Sequence, residues 1–437
     1  MRDKTALWDN MLKSVKREVL PALGCTEPVS LALASAIAAS QLDRKIDRIE
    51  AKVSANLMKN GMGVTVPGTG TQGLYIAAAA GALGGDPEGG LEVLRTLTPE
   101  HVIRAKQLIA ENRISLSVAH DPRVIYSEAT VYSDNDNVRV CIADTHTQVI
   151  SIAKNGEETF HLDSAGEPNA DHLFNFEGVT TRDVYQFVKE VPLESIDFIL
   201  KAEELNNALS LEGQCKNYGL RIAATLKDKI DRGLLSDDLL NQIVIRTTAA
   251  SDARMGGASL PAMSNSGSGN QGITATIPVV VVADHVRATR EQRVRALMLS
   301  HLMAVYIHSK LPKLSAFCAV TTAAMGAASG MAWLLGQAQY ESVARSITNM
   351  ISDITGVICD GASNSCAMKV STSVSSAFKA VLMALDSIRV SEADGIVCKD
   401  VDQSIANLGN LACNCMQQMD AEILKMMLEK QVRTSCD

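Results

Sequence analysis

Apolar and polar positions change period twice along the chain. From Leu20 to Ser40 the spacing is helical after the turn Gly24-Cys25-Thr26-Glu27-Pro28, and Ile49, Ala51, Val53, Ala55 and Leu57 then alternate with polar residues, which predicts a strand. A glycine-rich passage from Gly61 to Gly73 leads into an Ala-rich helix ending near Gly84, and Thr98 to Glu111 predicts another helix. Between Ile114 and Lys154 the period falls to two, with strands expected at Ile114 to Val118, Val124 to Tyr132, Val138 to Ile142 and Val149 to Ile152. The short Ala143-to-Gln148 connection predicts a hairpin. Polar residues from Asn155 to Asp171 mark a loop or linker, and beyond Thr181 helix follows helix, broken around Gly256 and Gly361. The pattern is α+β: a predominantly helical core with a small antiparallel β-layer contributed by the first half. Three parts are expected: 1–112 with helices and a strand, 113–175 as the β-layer, and 176–437 as the helical remainder.

Hydrophobic residues make up 46% of the 437 positions and aromatic ones only 4%, so the interior must be filled by Ala, Leu, Val, Ile and Met. Small residues favour closely packed helices. The net charge of -8, without a Lys/Arg cluster, argues against nucleic-acid binding. Met1 to Val19 mixes charges and lacks the apolar stretch of an export signal. Leu314 to Tyr340 carries no charge, but Ser315, Thr321, Thr322, Ser329 and Gln337 interrupt it, so a buried helix is expected rather than a membrane span. A cytoplasmic protein follows, and Ala-rich helix faces admit a homo-oligomer. Ten cysteines are too sparse and irregular for a disulfide scaffold and are expected as reduced thiols.

One short similarity recurs. Gly68-Thr69-Gly70-Thr71-Gln72-Gly73 and Gly267-Ser268-Gly269-Asn270-Gln271-Gly272 each run into an apolar segment. Such loops offer backbone N–H groups to an anion such as an amino-acid carboxylate, and they equally serve as plain turns between packed helices. Cys359 and Cys366 bracket a turn across Gly361, and Cys318 lies in the uncharged helix. A seven-residue turn can aim two sulfurs at one centre, and a third thiolate would complete a soft site for zinc, copper(I) or an iron–sulfur cluster. By default, the same three residues read as small buried hydrophobes. Cys413 and Cys415, two apart on a helix, face different ways and read as packing. Cys25 precedes Thr26-Glu27-Pro28, where proline announces a helix N-terminus; free N–H groups there favour a thiolate, so a depressed pKa is expected. His301 and His308 share a helix face without a clear zinc ligand set.

The blocks Leu23-Gly24-Cys25-Thr26-Glu27-Pro28, Pro67-Gly68-Thr69-Gly70, Gly269-Asn270-Gln271-Gly272 and Ile358-Cys359-Asp360-Gly361-Ala362 resemble, in order, the signatures of the L-cysteine desulfidase family. That family is related to the alpha chain of iron–sulfur L-serine dehydratases. The desulfidase likeness spans essentially the whole chain; the dehydratase likeness runs from about Ala250 onward, where Ser315-Ala316-Phe317-Cys318 and the Cys359-Asp360 turn are similar to cluster-binding segments. The resemblance implies [4Fe-4S] ligands at Cys318, Cys359 and Cys366 and a catalytic thiol at Cys25 acting as proton acceptor. The second and third ligands stand closer in sequence than in the serine dehydratases. Some serine dehydratases fill the fourth iron position with a C-terminal cysteine; Cys436 stands near the end here, without a supporting motif, and is left out of the site.

What the resemblance implies is β-elimination of L-cysteine to pyruvate, sulfide and ammonia, with an open iron as Lewis acid and Cys25 as base. Gln72, Asn270 and Gln271 are the polar candidates to hold the small amino-acid substrate. Three alternatives stand beside it: L-serine dehydration on the same cluster, a pyridoxal-phosphate eliminase using Lys369, around which no phosphate cup is evident, and a non-catalytic thiol- or metal-sensing protein.

Overall fold

The computed structural model describes residues 4–42, 45–162 and 176–434. The chain opens with helix α1 (Lys4–Glu18), a two-residue strand β1 (Pro21–Ala22), helix α2 (Thr26–Ser40), strand β2 (Arg48–Val53) and helix α3 (Ala55–Gly61). The alternation expected to carry the strand through Leu57 stops at Val53, because the Ser54 hydroxyl accepts the Leu57 amide and caps α3. A small hairpin, β3 (Thr65–Val66) and β4 (Thr71–Gln72), precedes α4 (Leu74–Gly84) and α5 (Pro99–Ala110). Thr98 closes a capping box with His101 at the head of α5.

Five strands follow, β5 (Ile114–Val118), β6 (Tyr126–Ser133), β7 (Asp136–Ala143), β8 (Val149–Lys154) and β9 (Glu157–His161). With β2 they form one six-stranded sheet in the order β5-β2-β6-β7-β8-β9. Every pairing is antiparallel except β2 with β5, which is parallel. Strand β9 falls inside the stretch expected as linker. All five of its residues are exposed at the sheet edge, so no apolar alternation marked it. The rest of that stretch, 163–171, lies outside the described residues.

The remainder is helical: α6 (Thr181–Glu190), α7 (Leu200–Cys215), α8 (Ile222–Asp231) and α9 (Leu239–Met255), then a two-residue strand β10 (Ala262–Met263). After it come α10 (Gly269–His285), α11 (Arg290–His308), α12 (Val320–Leu335), α13 (Tyr340–Ile354), α14 (Cys366–Leu385), α15 (Val401–Cys415) and α16 (Gln417–Thr434). The protein is thus a mostly helical α+β fold.

Two apolar cores organise it. The smaller packs α2, α4 and α5 on β2, β6 and β7, and the larger is built from α9 to α15 around α10 and α12, with α1, α6 and α7 packed into it. Both central helices are buried almost all round, the signature of a helix enclosed by other helices. Small residues permit that closeness: a Cβ added to Gly326 of α12 would stand 2.3 Å from Ser300 O of α11. Among the described residues no helix is long and apolar enough to cross a membrane. The two cores are stitched together by β1 pairing with β10, Pro21 opposite Met263, and by α3 packing on α16. The candidate site lies along this seam.

Candidate active site

Cys25 is the N-cap of α2, extended in backbone and 5% exposed. Both glycine-rich loops flank it. Pro67, immediately before the first, presses on Gly24, where a Cβ would meet its ring at 2.4 Å, and Gly24 holds a φ of +78° suited to glycine. Gly267 of the second accepts a 2.7 Å hydrogen bond from Thr26 Oγ1. The repeated sequence therefore serves one turn from two sides.

The Cys25 thiol donates to Glu27 Oε2 at 3.2 Å, and Glu27 Oε1 accepts from Asn60 Nδ2 at 3.3 Å. Asn60, on α3, carries the line onward to Cys359, whose sulfur lies 4.0 Å from Asn60 Oδ1. All three members of the Cys25-Glu27-Asn60 chain are buried. Burial first, and the Glu27 carboxylate second, push the Cys25 thiol well above its ordinary range, with Arg254 pulling the other way. The depressed pKa expected from the helix N-terminus is thus reversed: desolvation and an anionic neighbour outweigh the N–H groups.

Cys318 and Cys359 are brought side by side by backbone. Phe317 and Ile358 form an isolated antiparallel bridge, the Cys318 amide donates to Val357 O at 3.0 Å, and the Cys359 amide donates to Ala316 O at 2.7 Å. Cys318 therefore precedes α12 in a bridging turn rather than lying in the helix, as the uncharged run suggested. Cys366 begins α14 seven residues after Cys359, its sulfur 3.8 Å from Gly361 O. Gly361 has a φ of +97° and packs against Lys59 O of α3, and this bends the turn back on itself. Burial, then Cys359 and Cys366, raise the Cys318 thiol to about 12; burial, opposed by a backbone hydrogen bond at Ser363, raises Cys366, to which Cys359 also contributes. Cys366 also acts on Cys25 and packs with it, Val64 and Met255. The four thiols share one neighbourhood.

Nine cysteines of the described residues are free thiols, and no three His, Cys, Asp or Glu side chains among those residues stand close enough to chelate a single metal ion. Burial and a neighbouring sulfur hold the Cys318 and Cys366 thiols up, a cost that a cationic cluster bound there would relieve, and a cluster takes each sulfur on a different iron. The donor chemistry fits a cluster better than one ion. Cys436 lies outside the described residues. Cys413 and Cys415, on α15, stand apart from these sulfurs in role: Cys413 donates weakly to Lys310 O and Cys415 is exposed.

The polar candidates divide. Asn270 and Gln271 lie buried at the head of α10; Asn270 Oδ1 accepts from Ser251 and its Nδ2 points to Met255 Sδ, while Gln271 Nε2 donates to Ser266 O and its Oε1 has no partner. Gln72 is exposed on β4, paired through its backbone with Thr65, and no described hydrogen bond ties its side chain to the cysteines.

Two residues escaped the sequence. Arg254, the penultimate residue of α9, is 3% exposed with Nε and Nη2 unpartnered. His146, in the β7-β8 connection, is buried beside Gly267 with Nε2 unpartnered, and burial lowers its pKa. Neither sits in a motif; only the fold reveals them.

Residues 88–425 match the serine dehydratase alpha chain. The chain belongs to that family. The match begins well before Ala250, so the likeness takes in the β-layer as well as the helical part. The chain is also 59% identical to a UPF0597 protein of Chromobacterium violaceum over 97% of its length and 98% of the relative's. A UPF0597 protein of Yersinia enterocolitica is 59% identical, covering 98% of each chain, and one of Actinobacillus pleuropneumoniae is 58% identical over 98% of this chain and 99% of its own.

Proposed function

We propose that the protein is an iron–sulfur-dependent β-eliminating lyase that converts L-cysteine to pyruvate, sulfide and ammonia. The observation that carries this reading is that the Phe317–Ile358 bridge sets Cys318 beside Cys359, while Cys359 reaches Asn60 and Cys366 packs on Cys25 of the Cys25-Glu27 pair. Cys318, Cys359 and Cys366 would hold a [4Fe-4S] cluster, which when bound supplies a Lewis acid at its remaining iron. The chain's own groups handle the proton. Cys25 Sγ, hydrogen-bonded to Glu27 Oε2, would pass its proton to that carboxylate as it takes the α-proton of the substrate, and the Glu27 proton would then go to the departing hydrosulfide, which restores the pair. The Cα–H and Cβ–S bonds break, the Cα=Cβ bond forms, and hydrosulfide leaves. The resulting 2-aminoacrylate tautomerises and takes up water to give pyruvate and ammonia. Burial of Cys25, Glu27 and Asn60 excludes competing water from the proton path.

L-serine is the second substrate to consider, because the family match is to a serine dehydratase chain and water replaces hydrosulfide on the same skeleton. The free thiols fit a reducing compartment, and we place the protein in the cytoplasm. The test is anaerobic purification, iron and acid-labile sulfide analysis, and turnover of L-cysteine beside L-serine. Iron-free protein with full activity rules out the cluster, and no pyruvate from either amino acid rules out the lyase.

A further inference from the structure

Arg254 stands against the head of α10. A Cβ on Gly269, the first residue of that helix, would lie 2.2 Å from Arg254 Nε and 2.9 Å from Cζ, so only glycine lets the guanidinium approach this closely. The helix is 17 residues long, and its N-cap, Ser268, supplies no side-chain cap. Its first amides and the positive end of its dipole thus meet a buried cation of the same sign. Nη1 of Arg254 donates to the thioether of Met255 at 3.2 Å, while Nε and Nη2 have no partner. A guanidinium 3% exposed with two donors open beside a helix N-terminus is costly unless an anion completes it. The spot is next to the reacting thiol, since the Arg254 charge acts on both Cys25 and Cys366. Two residues along α10, Gln271 Oε1 is a buried acceptor without a donor.

We infer that Arg254 Nε and Nη2, with the first amides of α10, form the receptor for the α-carboxylate of an amino acid, and that Gln271 Oε1 receives its ammonium. The inference rests on the lyase reading for the choice of an amino acid, while the anion site stands on the geometry. A planar guanidinium matches a carboxylate with two parallel hydrogen bonds, and a lysine at the same place offers a single point charge. The competing role for Arg254 is to neutralise the Cys366 thiolate.

The experiment is calorimetric titration of the anaerobically purified, iron-loaded protein with L-alanine, which has the carboxylate and ammonium without a leaving group, and with L-alaninamide, in which a neutral carboxamide replaces the carboxylate. L-alanine is expected to bind the unaltered protein at least 10-fold more tightly than L-alaninamide, and Arg254→Lys to weaken L-alanine about 10- to 100-fold with iron content retained. Equal affinity for the two compounds, or no binding of either, overturns the receptor and needs no variant. So does an Arg254→Lys protein that binds L-alanine unchanged but loses iron. Turnover of L-cysteine alongside any of those results leaves the lyase reading intact, whereas carboxylate-dependent, Arg254-dependent binding without turnover of any β-substituted amino acid removes the lyase and keeps the receptor.

Discussion

Lys59 Nζ and Asp420 Oδ1 form an ion pair at 2.5 Å between α3 and α16, with the lysine side chain 1% exposed. Each partner also grips a cysteine loop: Lys59 Nζ donates to Cys359 O at 3.3 Å, and Asp420 Oδ2 accepts the Ala316 amide at 2.9 Å. Residues 361 apart in sequence thus clamp the two backbone segments whose bridge sets Cys318 beside Cys359.

Removing one partner strands a buried charge. Asp420→Ala is expected to lower unfolding free energy by about 3 kcal/mol, read by urea denaturation, and to lower bound iron per chain. The double variant Lys59→Met with Asp420→Leu should regain most of the stability, because no charge remains buried, yet not the iron, because Ala316 and Cys359 lose their shared grip. Full iron in the double variant would show that the bridge alone orients the sulfurs.

The Cys25-Glu27 pair makes a separate claim. Cys25→Ser and Glu27→Gln should each cut turnover about 10²- to 10⁴-fold while iron and sulfide stay at wild-type content, since neither side chain is assigned to hold the cluster. Glu27→Gln keeps an oxygen acceptor for the thiol, loses the basicity, and puts an NH2 where Oε1 accepted from Asn60 Nδ2. Unchanged turnover in Glu27→Gln would leave Cys25 without the acceptor proposed for its proton.

The close packing of the N-terminal core bears on the same turn, because α2 carries Cys25 at its head. A Cβ on Gly81 of α4 would stand 2.1 Å from Ala32 O of α2. Gly81→Ala should destabilise the fold by about 1–3 kcal/mol, measured as a lower denaturation midpoint at unchanged m-value.

Much of this is legible in the amino-acid sequence. The period changes placed most of the helices and strands, and the Cys25 turn, the two glycine loops and the Cys359-Gly361-Cys366 turn stood out as motifs. What escaped depends on burial and on long-range pairing. Arg254 reads as an ordinary cation at a helix C-terminus, where such residues are common and solvated. His146 sits in a polar hairpin connection, and Lys59 meets Asp420 only through the docking of α16. Cys25 misled in the opposite sense, for a local rule about helix ends was outweighed by an enclosure that no local pattern reports.

A pH dependence of stability follows from two histidines on α11. His301 is satisfied, its Nδ1 accepting from Asn265 Nδ2 and its Nε2 facing Thr276 Oγ1, yet burial lowers its pKa to about 3. His308 has neither ring nitrogen partnered, and burial lowers it to about 4, with Glu18 opposing that shift and Lys313 reinforcing it. Both folded values lie below the unfolded value of 6.5, so between about 4 and 6.5 the unfolded chain binds protons that the folded chain refuses. Their contribution is fully present above pH 6.5 and is lost as pH falls, down to about 4 for His308 and about 3 for His301. His308→Leu removes an unsatisfied polar ring, and should leave stability at pH 7.5 unchanged or higher while making the loss between pH 6.5 and 5 shallower. Urea denaturation at both ends of that range reads the slope, and an undiminished slope in His308→Leu would assign the acid sensitivity to other groups.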